Sequence, residues 1–307
     1  MRINNNIMAM NSHRQYGINS GNIGKNVEKL SSGFRINRAG DDAAGLAISE
    51  KMRAQIRGLT MASKNSQDAI SLVQTAEGAL QTSHDILQKM RELAVQASTD
   101  TYQVPVDRDA LNAEFQLLIA EINDTADKTE FNNMKLINWD FEDGGLYGEF
   151  TVQSGANMGD QLNISIRAMD WDTISEKALT TGFVTDDQDA VEDAGGNWNV
   201  LEEGNDREIN LHTQANASAA ISIVNHSINE ISSMRSELGA LQNRLEFKIQ
   251  NLDISAENLQ AAESRIRDAD MAKMMTQFTR DNILFQASTA MLAQANALPQ
   301  GVLQLLG

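Results

Sequence analysis

The chain has 307 residues, 5% of them aromatic, with two prolines, no cysteine and a formal net charge of −17. That length allows one or two domains and a sizeable core, but so few bulky anchors suit long, closely packed helices better than a compact enzyme core. The absence of cysteine excludes a disulfide framework, a thiolate nucleophile and a thiolate metal site.

In chain order, the first residues contain no apolar stretch of signal-peptide length and no small-residue cleavage site. If the protein is exported, the expected route is one without a cleaved signal. Ile3, Ile7 and Met10 offer a short apolar stripe here. A looser helical seam follows, through Met52, Ile56, Leu59, Ile70, Val73, Leu80, Leu87, Met90 and Ala94. Residues 98–105, ending at Pro105, break it. A third run then places Leu111, Phe115, Leu118, Ile119 and Ile122 on one face, with Asp107 or Asp109 available to cap its start.

After Asn132-Asn133 the period changes from helical to alternating. Residues 149–153 and 161–166 alternate polar and apolar around the turn-rich stretch 154–159, which predicts a β-hairpin. Residues 171–212 hold acidic clusters and Gly195-Gly196 with little periodicity, and are read as a small surface insertion.

The C-terminal part carries the most regular pattern. Ile221, Val224, Ile228, Ile231, Met234, Leu238, Leu241, Leu245, Ile249, Leu252, Ala256, Leu259, Ala262, Ile266 and Ala269 recur in steps of three and four, the repeat of a coiled-coil seam. Residues 282–307 then contain no charged side chain at all. A membrane-spanning reading of that tail is opposed by Gln286, Gln294, Asn296, Gln300, Gln304 and Pro299, since each amide would need a partner in lipid.

The charge follows the same division. Residues 137–215 carry 3 basic against 17 acidic side chains, a net of −14, whereas residues 1–136 and 216–307 have nets of −1 and −2. Near-neutral ends can pack against copies of themselves, while an acidic middle repels its copies and faces water. No basic face remains to neutralise phosphates, which argues against nucleic-acid binding.

Long helices must bury their stripes somewhere. The expected fold is therefore mainly α: a long antiparallel helical bundle or coiled coil with a small β-hairpin region and an acidic mid-chain insertion. The apolar ends are expected to be sticky or disordered in a lone subunit and to become ordered only when copies, or a chaperone, cover them. The candidate polymerisation residues are Ile3, Ile7, Met10, Phe278, Leu284, Phe285, Met291, Leu292, Leu298, Val302 and Leu305.

No motif of catalysis accompanies this pattern. His226 and Glu230 are four apart on a helix, a spacing that can present two metal ligands, but there is no HExxH and the other histidines are scattered. A solvated helix face accounts for the pair better. No nucleotide-binding glycine motif is present, and Asp41-Asp42 reads as a loop cap between helices. The expectation is a structural protein with no cofactor and no catalytic or metal site.

Residues 30–48 (LSSGFRINRAGDDAAGLAI) closely resemble bacterial flagellin, as do residues 91–96 (RELAVQ), 130–136 (EFNNMKL), 265–272 (RIRDADMA) and 296–300 (NALPQ). The resemblance covers about residues 1–165 and 215–307. It implies an inner terminal coiled-coil domain from residues 1–42 and 267–307. A helical rod domain with a β-hairpin would come from 43–170 and 213–266, and 171–212 would replace the large outer domains. It further implies a subunit that polymerises into the flagellar filament for swimming, with the hook–filament junction protein of the same family as the alternative. Also implied are an extracellular location, type III export, a chaperone at the C-terminal end, and the filament cap and hook-associated proteins as partners. Some flagellins are recognised by host Toll-like receptor 5; the matching positions here are Lys89, Leu93 and Glu114, with Arg91 and Glu92 beside them. Lys89 stands where the family's commonest pattern has Arg, which keeps the charge but loses the planar fork.

Overall fold

The computed structural model describes residues 6–99, 106–138, 147–171, 173–175 and 209–306. Five long helices dominate: α1 (Ile7–Ser32), α2 (Ala43–Ala97), α3 (Val106–Lys128), α4 (Gln214–Arg267) and α5 (Met271–Leu306). Between α3 and α4 lie four strands, β1 (Glu130–Phe131), β2 (Met134–Lys135), β3 (Tyr147–Gln153) and β4 (Gln161–Arg167), paired as two antiparallel hairpins. The mainly helical fold class read from the sequence is the one observed. The chain divides into two compact units, one of Met1–Gly58 with Ile254–Gly307 and one of Leu59–Asp253.

The unit of Leu59–Asp253 holds the main hydrophobic core. The two apolar seams meet there: Val73, Leu80, Leu87, Met90 and Ala94 of α2 are buried with Val224, Ile231, Met234, Leu238 and Leu245 of α4. The two helices run antiparallel. Ser63 Oγ donates to Asp253 Oδ1 at 3.0 Å, and further along Glu77 lies 4.0 Å from Arg235. Steps of three and four keep one stripe of each helix facing the other, so burial follows the sequence period. Phe115 and Ile122 of α3 join the same core.

The hairpin β3–β4 runs from Tyr147 opposite Arg167 to Gln153 opposite Gln161. It is two residues longer at its start than the alternation predicted. Leu162, Ile164 and Ile166 are buried and their neighbours Gln161, Asn163 and Ser165 exposed, the two-residue period of a strand covered on one face. The small β1–β2 hairpin was not foreseen. Asn132 and Asn133 both adopt positive φ, 52° and 63°, the backbone a two-residue type I′ turn demands. Asparagine tolerates that region better than other side-chain-bearing residues.

Most of the acidic insertion lies outside the described residues, but its two ends correct the expectation of a purely surface segment. Trp171, Ile174, Ile209 and Leu211 are buried members of the core. The Trp171 ring meets Phe115 edge-on with centroids 6.2 Å apart, and Asn123 Oδ1 accepts from the Trp171 backbone N–H at 2.9 Å. Asp107 and Asp109 lie inside the first turn of α3 rather than before it. Asp109 is 2.8 Å from His212 Nδ1, so this carboxylate helps hold the chain where it returns toward α4.

Among its described residues, the unit of Met1–Gly58 with Ile254–Gly307 has a sparse interior, with Ile36, Ser49, Met274, Asp281 and Ala295 buried. Its best-defined feature is the segment joining α1 to α2. Gly33 ends α1 at φ 74°, a left-handed cap that glycine adopts without strain, and its N–H bonds Lys29 O at 2.9 Å. The chain then runs antiparallel to the α4–α5 connection: Arg35 N–H donates to Arg267 O at 2.7 Å and Ala269 N–H to Gly33 O at 2.9 Å. The Arg267 guanidinium lies over the Phe34 ring, 4.8 Å from its centroid, and reaches Glu50 at 2.8 Å.

The Asp41-Asp42 pair is a double cap. Asp41 Oδ2 accepts from the backbone N–H groups of Asn37 and Arg38, both at 3.2 Å. Asp42 Oδ1 accepts from Gly45 N–H at 2.8 Å and starts α2. The backbone donors of Arg38 and Asn37 hold the Asp41 carboxyl below its ordinary range.

Candidate self-assembly surface

The pairing of α1 with α5 brings the two chain ends together. It is antiparallel, and polar side chains of α1 and its N-cap reach both backbone and side-chain oxygens of α5. Asn6 Oδ1 caps α1 by accepting from Ala9 N–H at 3.1 Å, while its Nδ2 donates to Ala295 O at 2.6 Å. Asn19 Nδ2 donates to Ser288 Oγ at 2.8 Å and to Leu284 O. Asn26 Nδ2 donates to the buried Asp281 Oδ2 at 2.7 Å. Tyr16 packs on Phe285 with ring centroids 4.9 Å apart. Asp270 caps the start of α5, accepting from Lys273 N–H at 3.1 Å.

Not one residue of the 26 in α1 is buried. The two helices cover part of each other and leave apolar side chains in water. Ile7 is 63% exposed and Met10 68%, and Ile18, Val27, Met271, Met275, Ile283, Leu284 and Met291 are exposed with them. Of the eleven candidate residues, Ile7, Met10, Leu284 and Met291 are exposed, and Phe278, Phe285 and Leu292 are half-buried. Ile3 and the side chains of Leu298, Val302 and Leu305 lie outside the described residues. Where described, the ends are thus helical and paired, with their apolar residues uncovered.

Sequence reasoning missed the polar residues that hold this pair together. Asn19 and Asn26 stand seven residues apart, the heptad step, and that spacing was the available signal.

On the other unit, Lys89, Arg91 and Glu92 are exposed on α2 and Glu114 on α3. Lys89 pairs with Glu92 at 3.5 Å. Leu93 differs from them: it is 3% exposed and packs in the core with Met90, Ala94 and Ala97. Its place in the three-and-four spacing turns it inward. Arg91 and Glu92 line an open groove with Gln88, Val95, Gln96, Thr99 and Ile228. Glu230, one of the two spaced metal-ligand candidates, is engaged by Arg167 at 2.9 Å. Among the described residues no group of three or more His, Cys, Asp or Glu side chains is placed to hold a metal ion. None of the described helices is long and apolar enough to cross a membrane.

This is a helical protein whose chain ends pair and present uncovered apolar faces, the build of a self-associating structural subunit. Residues 3–140 match the bacterial flagellin N-terminal helical region, and residues 221–306 the bacterial flagellin C-terminal helical region. The chain is 54% identical to flagellin of Halalkalibacterium halodurans over 306 residues and 48% identical to flagellin of Bacillus subtilis over 318, covering 100% of both partners each time. Bacillus cereus flagellin, known as a crystal structure, aligns at 29% identity and a TM-score of 0.43 over 65% of this chain and 94% of that one. The chain belongs to the bacterial flagellins, structural subunits that polymerise into the extracellular filament of the flagellum for swimming. None of these relatives favours the hook–filament junction alternative.

Proposed function

We propose that the subunit joins the filament by burying the paired faces of α1 and α5 against neighbouring copies. The surface is formed by Ile3, Ile7, Met10, Phe278, Leu284, Phe285, Met291, Leu292, Leu298, Val302 and Leu305. The observation that carries this reading is α1 itself, a helix of 26 residues with none buried. In proteins most of a helix's stability comes from packing of its apolar face rather than from propensity. Each Leu, Ile or Phe newly covered contributes roughly 1.5–3 kcal/mol, offset by the cost of ordering the ends. Deleting residues 290–307 is expected to leave a folded, soluble subunit that fails to elongate seeds. Filaments formed by that truncation would overturn the reading.

The wider assignment is proposed on the same basis. Residues 1–42 with 267–307 act as the inner terminal domain, 43–170 with 213–266 as the helical domain, and 171–212 as the outward insertion. Export proceeds through the flagellar type III apparatus without a cleaved signal. A chaperone covers the C-terminal end before assembly, a need consistent with an uncharged 282–307, and the filament cap and hook-associated proteins guide it afterwards. Host Toll-like receptor 5 would read the exposed Lys89, Arg91, Glu92 and Glu114, with Leu93 supporting them from the core side. The role is mechanical, and no catalytic step is assigned to any residue.

A further inference from the structure

The chain has 14 methionines and no cysteine, so thioether is its only sulfur chemistry. The methionines are unevenly exposed. Met90, Met169 and Met234 are at most 2% exposed inside the core. Of the eight exposed among the described residues, five lie on α1 and α5: Met8 (61%), Met10 (68%), Met271 (48%), Met275 (50%) and Met291 (58%). Among the described side chains they make up half of the large apolar residues exposed on those two helices, the others being Ile7, Ile18, Val27, Ile283 and Leu284. Met275 also borders an open groove with Arg280, Ile283 and Leu284. Methionine adapts its shape to irregular contacts, which suits a face that must fit several neighbours. The same flexible thioether is the one apolar side chain that a mild oxidant makes polar.

We propose that Met8, Met10, Met271, Met275 and Met291 form an oxidant-sensitive modification patch. Peroxide converts it to sulfoxide in the unassembled subunit and thereby blocks its addition to a filament, whereas assembly shields it. The proposal rests on the reading of α1 and α5 as the assembly surface. In the reaction a sulfur lone pair attacks one oxygen of hydrogen peroxide. The S–O bond forms as the O–O bond breaks, sulfur gives up two electrons, and the departing hydroxide takes the proton from the S–OH group and leaves as water. The sulfoxide oxygen is a strong acceptor that has no donor waiting in an apolar contact, so burying it is opposed. The step is reversible by methionine sulfoxide reductases.

The test treats full-length monomers and sheared filaments with hydrogen peroxide, maps sulfoxides by peptide mass spectrometry, and follows elongation from seeds by light scattering. In the monomer the five should oxidise well ahead of Met90, Met169 and Met234, and in filaments at least about tenfold more slowly than in the monomer. Oxidised monomers should elongate about tenfold more slowly or worse, since more than one sulfoxide must be buried per subunit. Methionine sulfoxide reductases with dithiothreitol should restore the rate. The fivefold Met→Leu variant, which keeps volume and helix propensity, should elongate equally well with and without peroxide. Undiminished elongation of fully oxidised monomers overturns the proposal, as does no recovery on enzymatic reduction. If the Leu variant folds poorly, that recovery decides the matter. Equal oxidation of the five in monomer and filament overturns the shielding and with it the reading of α1 and α5 as the assembly surface, whereas undiminished elongation of oxidised monomers overturns the oxidation block alone.

Discussion

Asn26 Nδ2 donates to Asp281 Oδ2 at 2.7 Å, joining α1 to a carboxylate on α5 that is only 6% exposed. The second oxygen, Oδ1, lies 3.3 Å from Arg280 on the same helix. With Asn6 on Ala295 O and Asn19 on Ser288 Oγ, this contact sets the register of two helices that share little buried apolar surface. Polar contacts of this kind restrict which alignment two helices can adopt.

Asn26→Leu removes the donor and leaves the Asp281 oxygen short of a partner. The expected cost is about 1–3 kcal/mol, the penalty for a buried polar group left without a partner, since the Asp281 charge keeps its contact to Arg280. Filaments of the variant should dissociate at lower temperature, followed by turbidity on heating. An unchanged melting curve would show that the contact carries no energy.

A Cβ on Gly45 would lie 2.4 Å from Asp42 Oδ2 and 3.0 Å from Ile36 Cδ1. Gly45→Ala therefore pushes the capping carboxylate off its position, although alanine is the better helix former. Loss of the cap costs about 1 kcal/mol, and urea unfolding monitored by circular dichroism should move to a lower midpoint. Asp42→Ala is expected to have an effect of similar size and, combined with Gly45→Ala, little more, because both act on one cap.

Arg167, at the end of β4 with its side chain 19% exposed, holds Glu230 at 2.9 Å and Glu237 at 3.2 Å on α4. Replacing it with Met keeps the packing of the stem and removes both contacts. The β3–β4 hairpin should then exchange its amide hydrogens faster than in the unaltered protein, by about tenfold for a loss near 1.4 kcal/mol. Protection of α1 and α5 should stay the same.

Asp41 and Glu50 both have carboxyls held below their ordinary range, Asp41 by backbone N–H donors of Arg38 and Asn37 and Glu50 by the Arg267 guanidinium. A depressed folded-state value contributes stability above the unfolded value, and that contribution is lost as pH falls through the folded one. Acidification from the ordinary carboxylate range downward should therefore loosen the segment joining α1 and α2, read as faster proteolysis near Arg38. Double substitution of Asp41→Asn and Glu50→Gln should flatten this pH dependence. A profile that stays as steep would assign it to other groups.

Much of the fold was legible because its elements announce themselves by period. The seam from Ile221 to Ala269 is free of exposed residues throughout, and the alternation at residues 161–166 gave β4 its buried face. What escaped was local or long-range. The β1–β2 turn depends on two asparagines in a backbone region that no apolar pattern marks. The buried Trp171 and Leu211 sit at the edges of an acidic stretch whose composition masks them. Leu93 belongs to the helical seam yet was grouped with its charged neighbours, because adjacency in sequence is not adjacency on a helix face.

The sequence alone determined that long helical stripes exist, that the acidic charge is confined to the middle of the chain, and that the last 26 residues carry none, since period and composition are local properties of the chain. Only the tertiary structure decided which of those stripes are already covered. The stripes of α2 and α4 satisfy each other, whereas α1 pairs with α5 through asparagines and leaves Ile7, Met8, Met10 and Ile18 in water. Apolar surface drives association only where folding has not buried it, and that remainder depends on how distant segments meet in space.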